Sequence, residues 1–191
     1  MVEEPVINPD DIFINTERLI LRPISESDAP DIYNNVKEYD IAKWTINIPH
    51  PYPKDGAIKF IKQTKELMKK GLSYELAIQI KSTKEVVGVI SLMKVDRRHK
   101  NAEIGYWVAK KFWNRGIATE AASKVMEFGF QVLNLERIYA KCFHNNEVSR
   151  KVMEKVGMKL EGKFRHEVFK ENKFIDTLYY GILKEDWKEP R

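Results

Sequence analysis

The chain has 191 residues, 43% of them hydrophobic and 32% charged, which is the composition of one folded domain and not of a disordered chain. The formal charge of +5 comes from lysines scattered among glutamates, a solvated-surface pattern that does not indicate a nucleic-acid partner. No apolar run approaches the roughly 20 residues needed to span a membrane, and the acidic start MVEEPVINPDD is unlike a signal peptide, so we expect a cytoplasmic protein.

The cysteine and histidine residues predict neither a disulfide nor a metal site. Cys142 is the single cysteine and therefore has no intrachain partner. His50, His99, His144 and His166 show no paired spacing such as HxxxH, a typical zinc-binding pattern. We expect no metal cofactor.

The N-terminal part of the chain predicts a strand followed by two helices. TERLILRPI, residues 16–24, alternates arginine with aliphatic residues and ends at a proline, as a strand does. Ser25, with Asp28 three positions later, matches a helix start. Residues 53–71 place apolar side chains on one face of a helix that a glycine terminates. The proline-rich, aromatic segment 43–53 predicts an ordered loop between the helices.

The middle of the chain predicts three strands and a helix. Residues 73–81 and 86–95 are β-rich runs separated by the turn-like STKE, which favours an antiparallel hairpin. Residues 102–110 predict a third strand. In residues 119–133 the apolar side chains recur at intervals of three and four residues, which is the period of a helix.

The C-terminal part predicts a strand, a helix and a final pair of strands. Residues 137–143 form a short apolar strand, and 146–157 form a helix closed by a glycine. Residues 158–183 predict two strands joined at KENK. The whole order predicts a single mixed α/β domain over residues 1–191, with 1–14 as an N-terminal extension and 184–191 as a C-terminal tail.

WNRGIA, residues 113–118, lies between the third predicted strand and a helix. This arrangement presents unpaired N–H groups and the positive end of the helix dipole, which together favour a phosphate or diphosphate. Gly116 and Ala118 would let the ligand approach, while Arg115, Lys110 and Lys111 add positive charge. Plain turn chemistry explains the same glycine equally simply. A Walker loop and a dinucleotide fingerprint are both excluded, because neither GKS/GKT nor GxGxxG occurs.

EIGYWVAKKFWNRGIATEAASKVMEFGF, followed by NEVSRKVMEKVGM, resembles the GNAT superfamily of acetyl-CoA-dependent N-acetyltransferases. The likeness runs from TERLILRP to FIDTLYYGIL and is closest to the ribosomal-protein-alanine acetyltransferases (RimJ/RimL), with the spermidine acetyltransferases slightly further off. It implies a mixed, mostly antiparallel twisted sheet flanked by helices. The family signature Q/R-x-x-G-x-G/A falls on residues 113–118, where Trp113 replaces the usual Gln or Arg.

The resemblance implies acetyl-CoA as co-substrate. The strand before the signature would pair with the pantetheine arm as an added strand would, and Asn146 would bond the pantetheine or the thioester region. The implied strand contacts are Trp107, Val108 and Ala109. The implied diphosphate contacts are the amides of Asn114, Arg115, Gly116, Ile117, Ala118 and Thr119.

The reaction needs a base, because an α-amine with a pKa of about 8 or a lysine near 10 is mostly protonated at pH 7. Glu103 resembles the strand glutamate that many family members use, directly or through a water. The alternative for Glu103 is a surface salt bridge to one of the nearby cations Arg97, Arg98 and Lys100.

Release of the CoA thiolate does not require a strong general acid, because thiol pKa values lie near 8.5. The tyrosine that many family members place on the final helix is Met153 here, which leaves Ser149 as the candidate acid. Alternatively, Asn146 is a helix N-cap with Ser149 at its N3 position. Cys142 could form an acetyl-enzyme, although a lone cysteine on an apolar strand is more often buried and inert.

The acceptor is expected to be a protein N-terminal α-amine that attacks directly in a ternary complex. Trp44 and Tyr52, in the loop where this family varies its pocket, are expected to line the acceptor entrance with Tyr106. Tyr106 and Trp107 should face opposite sides of their strand, one towards the core and one towards the cleft. The alternatives are a small amine, such as a polyamine or an aminoglycoside-like compound, and a degenerate module that only binds acyl-CoA. Family analogy also suggests a homodimer through the C-terminal strands.

Overall fold

The computed structural model describes residues 7–188, and its centre is one eight-stranded sheet in the order β1-β2-β3-β4-β5-β6-β8-β7. All neighbouring strands pair antiparallel except β5 and β6. The predicted hairpin, the strand at 137–143 and the final pair of strands joined at KENK are confirmed. The strands are β1 (Ile14–Asn15), β2 (Leu19–Pro23), β3 (Tyr74–Ile80), β4 (Val86–Asp96), β5 (Asn101–Val108), β6 (Arg137–Phe143), β7 (Lys159–Lys170) and β8 (Lys173–Leu183).

The helices lie on both faces of this sheet. The predicted start at Ser25 is confirmed, because Ser25 and Asp28 form a capping box that leads through a 3₁₀ turn into the first helix. Residues 43 and 44, expected within a loop, instead end a short helix. The helices are α1 (Ala29–Val36), α2 (Tyr39–Trp44), α3 (Gly56–Lys69), α4 (Ile117–Glu127), which continues as a π-helical turn (Phe128–Val132), and α5 (Glu147–Lys155).

Tyr106 and Trp107 are neighbours on β5 but pack into two different hydrophobic clusters. Tyr106 pairs across the sheet with Ile90 and packs with the cluster that includes α4, whereas Trp107 pairs with Val89 and packs with the cluster under α1 and α3. Successive side chains of a strand point to opposite faces, so the predicted opposite facing of Tyr106 and Trp107 is confirmed. The expected division into one core residue and one cleft residue does not hold, because both side chains pack into a core and both line the cavity described below.

Both ends of the described chain pack against the domain. Ile12 is buried, and Ile14 pairs with Leu21 of β2. Near the C-terminus, the ring of Trp187 lies 5.5 Å from that of Phe130. The remainder of the expected extension and tail, residues 1–6 and 189–191, lies outside the described residues. Within residues 7–188, no helix combines the length and apolarity that crossing a membrane requires.

Candidate active site

The sheet opens between its two parallel strands. β5 pairs with β6 only from Asn101 to Glu103, opposite Arg137 to Tyr139, and the two strands then separate. A cavity of about 320 Å³ lies at this opening and is lined from both strands, from α5 and from the region of α2. Backbone groups of β5 beyond Glu103 therefore face the opening without a partner from β6, the arrangement that an extended ligand could complete.

Glu103 lies where the strands part and lines the larger cavity. Its side chain is buried, with 7% exposure, and Oε2 accepts from Lys94 Nζ at 2.7 Å. The expected alternatives named Arg97, Arg98 or Lys100 as its partner, but the structure pairs it with Lys94. The sheet register shifts between Met93 and Asp96, and Lys94 takes a positive φ of 53°. An irregularity of this kind changes the direction in which a side chain points, and here the side chain of Lys94 reaches Glu103.

Ser149 faces the same cavity from the first turn of α5. Its Oγ lies 3.1 Å from the hydroxyl of Tyr106, and its backbone N–H donates to Asn146 Oδ1 at 3.1 Å. Asn146 is thus the N-cap of α5, as predicted. Burial raises the pKa of Tyr106 strongly. The cavity consequently holds a hydroxyl pair whose phenol stays protonated at neutral pH.

The WNRGIA turn leads into α4 through two left-handed residues, Asn114 (φ 59°) and Gly116 (φ 76°). Amides in the first turn of a helix have no carbonyl partner within it, so those of Ile117, Ala118 and Thr119 are available to a ligand. These residues line a second cavity of about 250 Å³, together with Asn114 and Gly116. The geometry fits a phosphate group, because donors converge there and the glycine leaves the approach open.

Two side chains, those of Arg18 and Trp113, hold this turn in place. Arg18 Nη1 donates to the carbonyl of Arg115 at 2.8 Å, and Arg18 Nε donates to Glu120 of α4 at 2.7 Å. Trp113, which departs from the family motif, donates from its indole Nε1 to the carbonyl of Val108 at 2.6 Å. The tryptophan therefore fixes the turn to the end of β5.

Helix α5 joins the two cavities. Val148 and Val152 line both of them, while Asn146, Ser149 and Met153 line only the larger. Lys151 and Lys155 line only the smaller. The sequence prediction missed these two lysines, although their spacing of four after a predicted N-cap places them on one helix face. The expected cations Lys110 and Lys111 are engaged elsewhere, by Asp40 and Glu85.

The remaining predicted site residues divide into those at the cavities and those away from them. Trp44, Tyr106 and Trp107 line the larger cavity, and Val108 lines both. Tyr52 lines neither and packs instead against Gly56 and Tyr33. Ala109 is buried, its N–H donating to Val87, and the Arg115 guanidinium lies over the Phe112 ring.

Cys142 also lines the larger cavity. It is almost wholly buried, and this burial raises the pKa of its thiol to about 11. A thiol must ionise to act as a nucleophile, so the environment of Cys142 opposes an acetyl-enzyme. No group of three or more potential metal-binding side chains comes together in residues 7–188.

The acetyltransferase (GNAT) domain model matches residues 18–159 of the chain. The uncharacterized N-acetyltransferase YoaA of Bacillus subtilis is 32% identical over 171 residues, covering 90% of this chain and 96% of that protein. The crystal structure of the ribosomal-protein-S5-alanine acetyltransferase of Vibrio fischeri is 25% identical, with a TM-score of 0.83 and coverage of 93% and 100%. The spermidine N(1)-acetyltransferase of Escherichia coli K12 is 28% identical over 103 residues, 54% of this chain and 55% of that protein.

The fold agrees with these matches. The chain belongs to the GNAT family of N-acetyltransferases, whose acetyl donor is acetyl-CoA.

Proposed function

We propose that this enzyme acetylates a protein N-terminal α-amine by direct attack on acetyl-CoA in a ternary complex. The observation that carries this proposal is the larger cavity, which Glu103 lines from β5 and Ser149 lines from α5. The acceptor enters that space, and the acyl donor reaches it along α5 from the smaller cavity.

The residues that line the two cavities bind and position acetyl-CoA, the acetyl donor. The amides of residues 117–119 bind the diphosphate, and Lys151 and Lys155 supply opposing positive charge. Val108, Val148 and Val152 contact the pantetheine arm, because they lie on the wall common to both cavities. Acetyl-CoA supplies an activated acetyl group to the larger cavity.

Glu103 acts as the base. It takes a proton from the acceptor ammonium, directly or through a water, and the freed nitrogen attacks the thioester carbonyl as the carbon–sulfur bond breaks. Lys94 holds the carboxylate in position through its 2.7 Å bond. Ser149 donates a proton to the departing thiolate, and the hydroxyl of Tyr106 at 3.1 Å restores that proton to Ser149. The acylated nitrogen then loses its second proton, which replaces the one that Tyr106 gave up, and Glu103 releases the first proton to solvent. Both protons that the ammonium loses, the acetyl group and the thiol are thereby accounted for.

The charge of the larger cavity favours a peptide N-terminus over a polyamine. Every charged side chain that lines it within the described residues already has a partner of opposite charge, so a second ammonium would find no free carboxylate there. Much of the remaining wall is apolar, including Trp44, Phe60 and Trp107. The ion pairs are Asp40–Lys110, Glu103–Lys94 and Lys141–Glu167.

A panel of acceptors tests this proposal. Tagged peptides with different first residues, the same peptides with blocked N-termini, and spermidine are each mixed with enzyme and acetyl-CoA, and free thiol release is followed. We expect release with a subset of the free peptides and none with the blocked ones. Turnover of spermidine with all peptides untouched would assign the enzyme to the small amines. Binding of acetyl-CoA without any turnover would indicate a degenerate module.

A homodimer is the second part of the proposal. The β7–β8 hairpin exposes large apolar side chains that a second copy could cover, at the edge of the sheet. Light scattering should then give twice the monomer mass, and a Phe169→Ser, Phe174→Ser double variant should give the monomer. The exposed residues are Leu160, Phe164, Phe169 and Phe174.

A further inference from the structure

Residues 39–48, here called the roof segment, form one side of the larger cavity. The segment comprises α2 and the four residues after it, and Ile41, Trp44 and Ile48 are among its lining side chains. A helix of six residues has too few internal hydrogen bonds to be stable alone. Contacts from elsewhere must therefore hold the roof segment over the cavity.

The turn between β7 and β8 supplies such contacts. Lys170 Nζ donates to the carbonyl oxygens of Ala42 and Thr45, each at 2.5 Å. A cation at the C-terminal end of a helix is favoured by the helix dipole. At the other end of α2, the hydroxyl of Tyr39 donates to Glu171 Oε2 at 3.0 Å. Two consecutive residues of the turn thus contact both ends of the same helix.

The turn itself is well suited to direct these two side chains. Lys170 pairs with Lys173, and the two residues between them, Glu171 and Asn172, have positive φ values of 50° and 58°. Positive φ at both central positions is the signature of a type I′ hairpin turn, whose shape is tightly defined. Partial burial lowers the pKa of the Lys170 ammonium, which agrees with its position against the carbonyl oxygens of the roof segment.

We propose that the β7–β8 turn is a latch for the acceptor side of the active site, in which Lys170 is the positioning residue that fixes the roof segment. The proposal rests on the assignment of the larger cavity to the acceptor. It makes the two substrates separable, because neither the roof segment nor the hairpin contributes a residue to the smaller cavity. Loosening the latch should weaken acceptor binding and leave the coenzyme's phosphate site intact.

The test compares three variants. Lys170→Met keeps the length of the side chain but removes the charge and the donors. Lys173→Met is the matched control, since Lys173 is the exposed cross-strand partner in the same turn. Lys170→Arg restores a cationic donor and should recover part of the wild-type behaviour.

Hydrogen exchange gives the first readout and requires no acceptor. Amides of residues 41–48 should exchange at least about tenfold faster in Lys170→Met, the effect of losing a charge-assisted hydrogen bond, while those of α4 and α5 keep their wild-type rates. Equal exchange of residues 41–48 in wild type and Lys170→Met, or an equal acceleration in Lys173→Met, overturns the latch.

Steady-state kinetics with the best free peptide from the acceptor panel gives the second readout. The KM for the peptide should rise about tenfold in Lys170→Met, with the KM for acetyl-CoA within twofold of wild type and partial rescue in Lys170→Arg. A parallel rise in both KM values, or a loss of kcat alone, counts against the latch. If wild type acetylates no peptide, the proposed acceptor fails, and the exchange experiment still decides the latch.

Discussion

Glu75 is a buried carboxyl group that the proposed mechanism does not use. It lies on β3 with 7% exposure, its Oε1 accepts from Ser73 at 2.5 Å, and its Oε2 has no hydrogen-bond partner among residues 7–188. Burial raises its pKa from 4.5 to about 7. Glu75→Gln keeps the shape and the acceptor for Ser73 but cannot ionise, so it isolates the cost of this buried charge.

The sign of the effect follows from the raised pKa. Below pH 4.5 the carboxyl is protonated in both folded and unfolded chains, and its contribution to stability is fully present. As the pH rises to about 7, the unfolded chain ionises first and stability is lost; above about 7 the loss is complete. At about 1.4 kcal/mol per pKa unit, the loss for a pKa of about 7 instead of 4.5 is about 3 kcal/mol.

Urea unfolding of wild type and Glu75→Gln at pH 5 and pH 8 measures this loss. The advantage of the variant in free energy of unfolding should grow by about 2 to 3 kcal/mol between the two pH values, or about 5 to 10 °C in Tm. Glu66→Gln, which removes an exposed carboxylate paired with Lys69, should change stability by less than about 0.5 kcal/mol at either pH. The same difference between Glu75→Gln and wild type at both pH values refutes the reasoning.

Other substitutions test the two cavities. Gly116→Asp should weaken acetyl-CoA binding by about 100-fold or more, because a carboxylate would enter the phosphate site at a strained positive φ; calorimetry showing wild-type affinity in a folded variant would move the site elsewhere. Glu103→Gln should lower kcat by about 100-fold or more with an unchanged Kd for acetyl-CoA, whereas a wild-type rate removes it from the mechanism. Lys155→Gln should weaken the binding of CoA and of dephospho-CoA alike, by about tenfold, because both ligands carry the diphosphate to which this lysine is assigned; a loss for CoA alone would place Lys155 at the 3′-phosphate instead. Cys142→Ala should retain activity, and complete loss in a folded variant would indicate a covalent route.

Most elements of the fold could be predicted because their signals are local. The alternation in 137–143 and the glycine-terminated helix before Gly71 depend only on neighbouring side chains, and both are confirmed. Helix α2 gave no such signal, because six residues span less than two helical turns. Its contacts with Lys170 join positions 128 residues apart, a distance over which periodicity carries no information.

The candidate site divides in the same way, into features that local sequence predicts and features that depend on distant parts of the chain. The motif placed Gly116 at the mouth of α4 and the NxxS spacing placed Asn146 at an N-cap, because both follow from the geometry of a single helix end. The partner of Glu103 was expected among the cations of the loop that precedes it, residues 96–101. The structure supplies Lys94 instead, since an irregular register in β4 turns that side chain towards β5. A one-residue irregularity in pairing depends on both strands, and nothing in the sequence of either strand alone specifies it.

The arrangement of α5 explains why the two ends of the donor can be positioned together. The helix has nine residues and rises about 1.5 Å per residue, so Ser149 and Lys155 stand about 9 Å apart on one rigid element. The lysines proposed for the phosphates and the hydroxyl proposed for the thioester cannot then move independently. The acceptor side of the larger cavity lacks such a rigid element, because the roof segment is short and is held in place by the distant β7–β8 turn. A change of acceptor can therefore arise through the roof segment and the β7–β8 turn while the donor site stays as it is, which is where we expect relatives with other acceptors to differ.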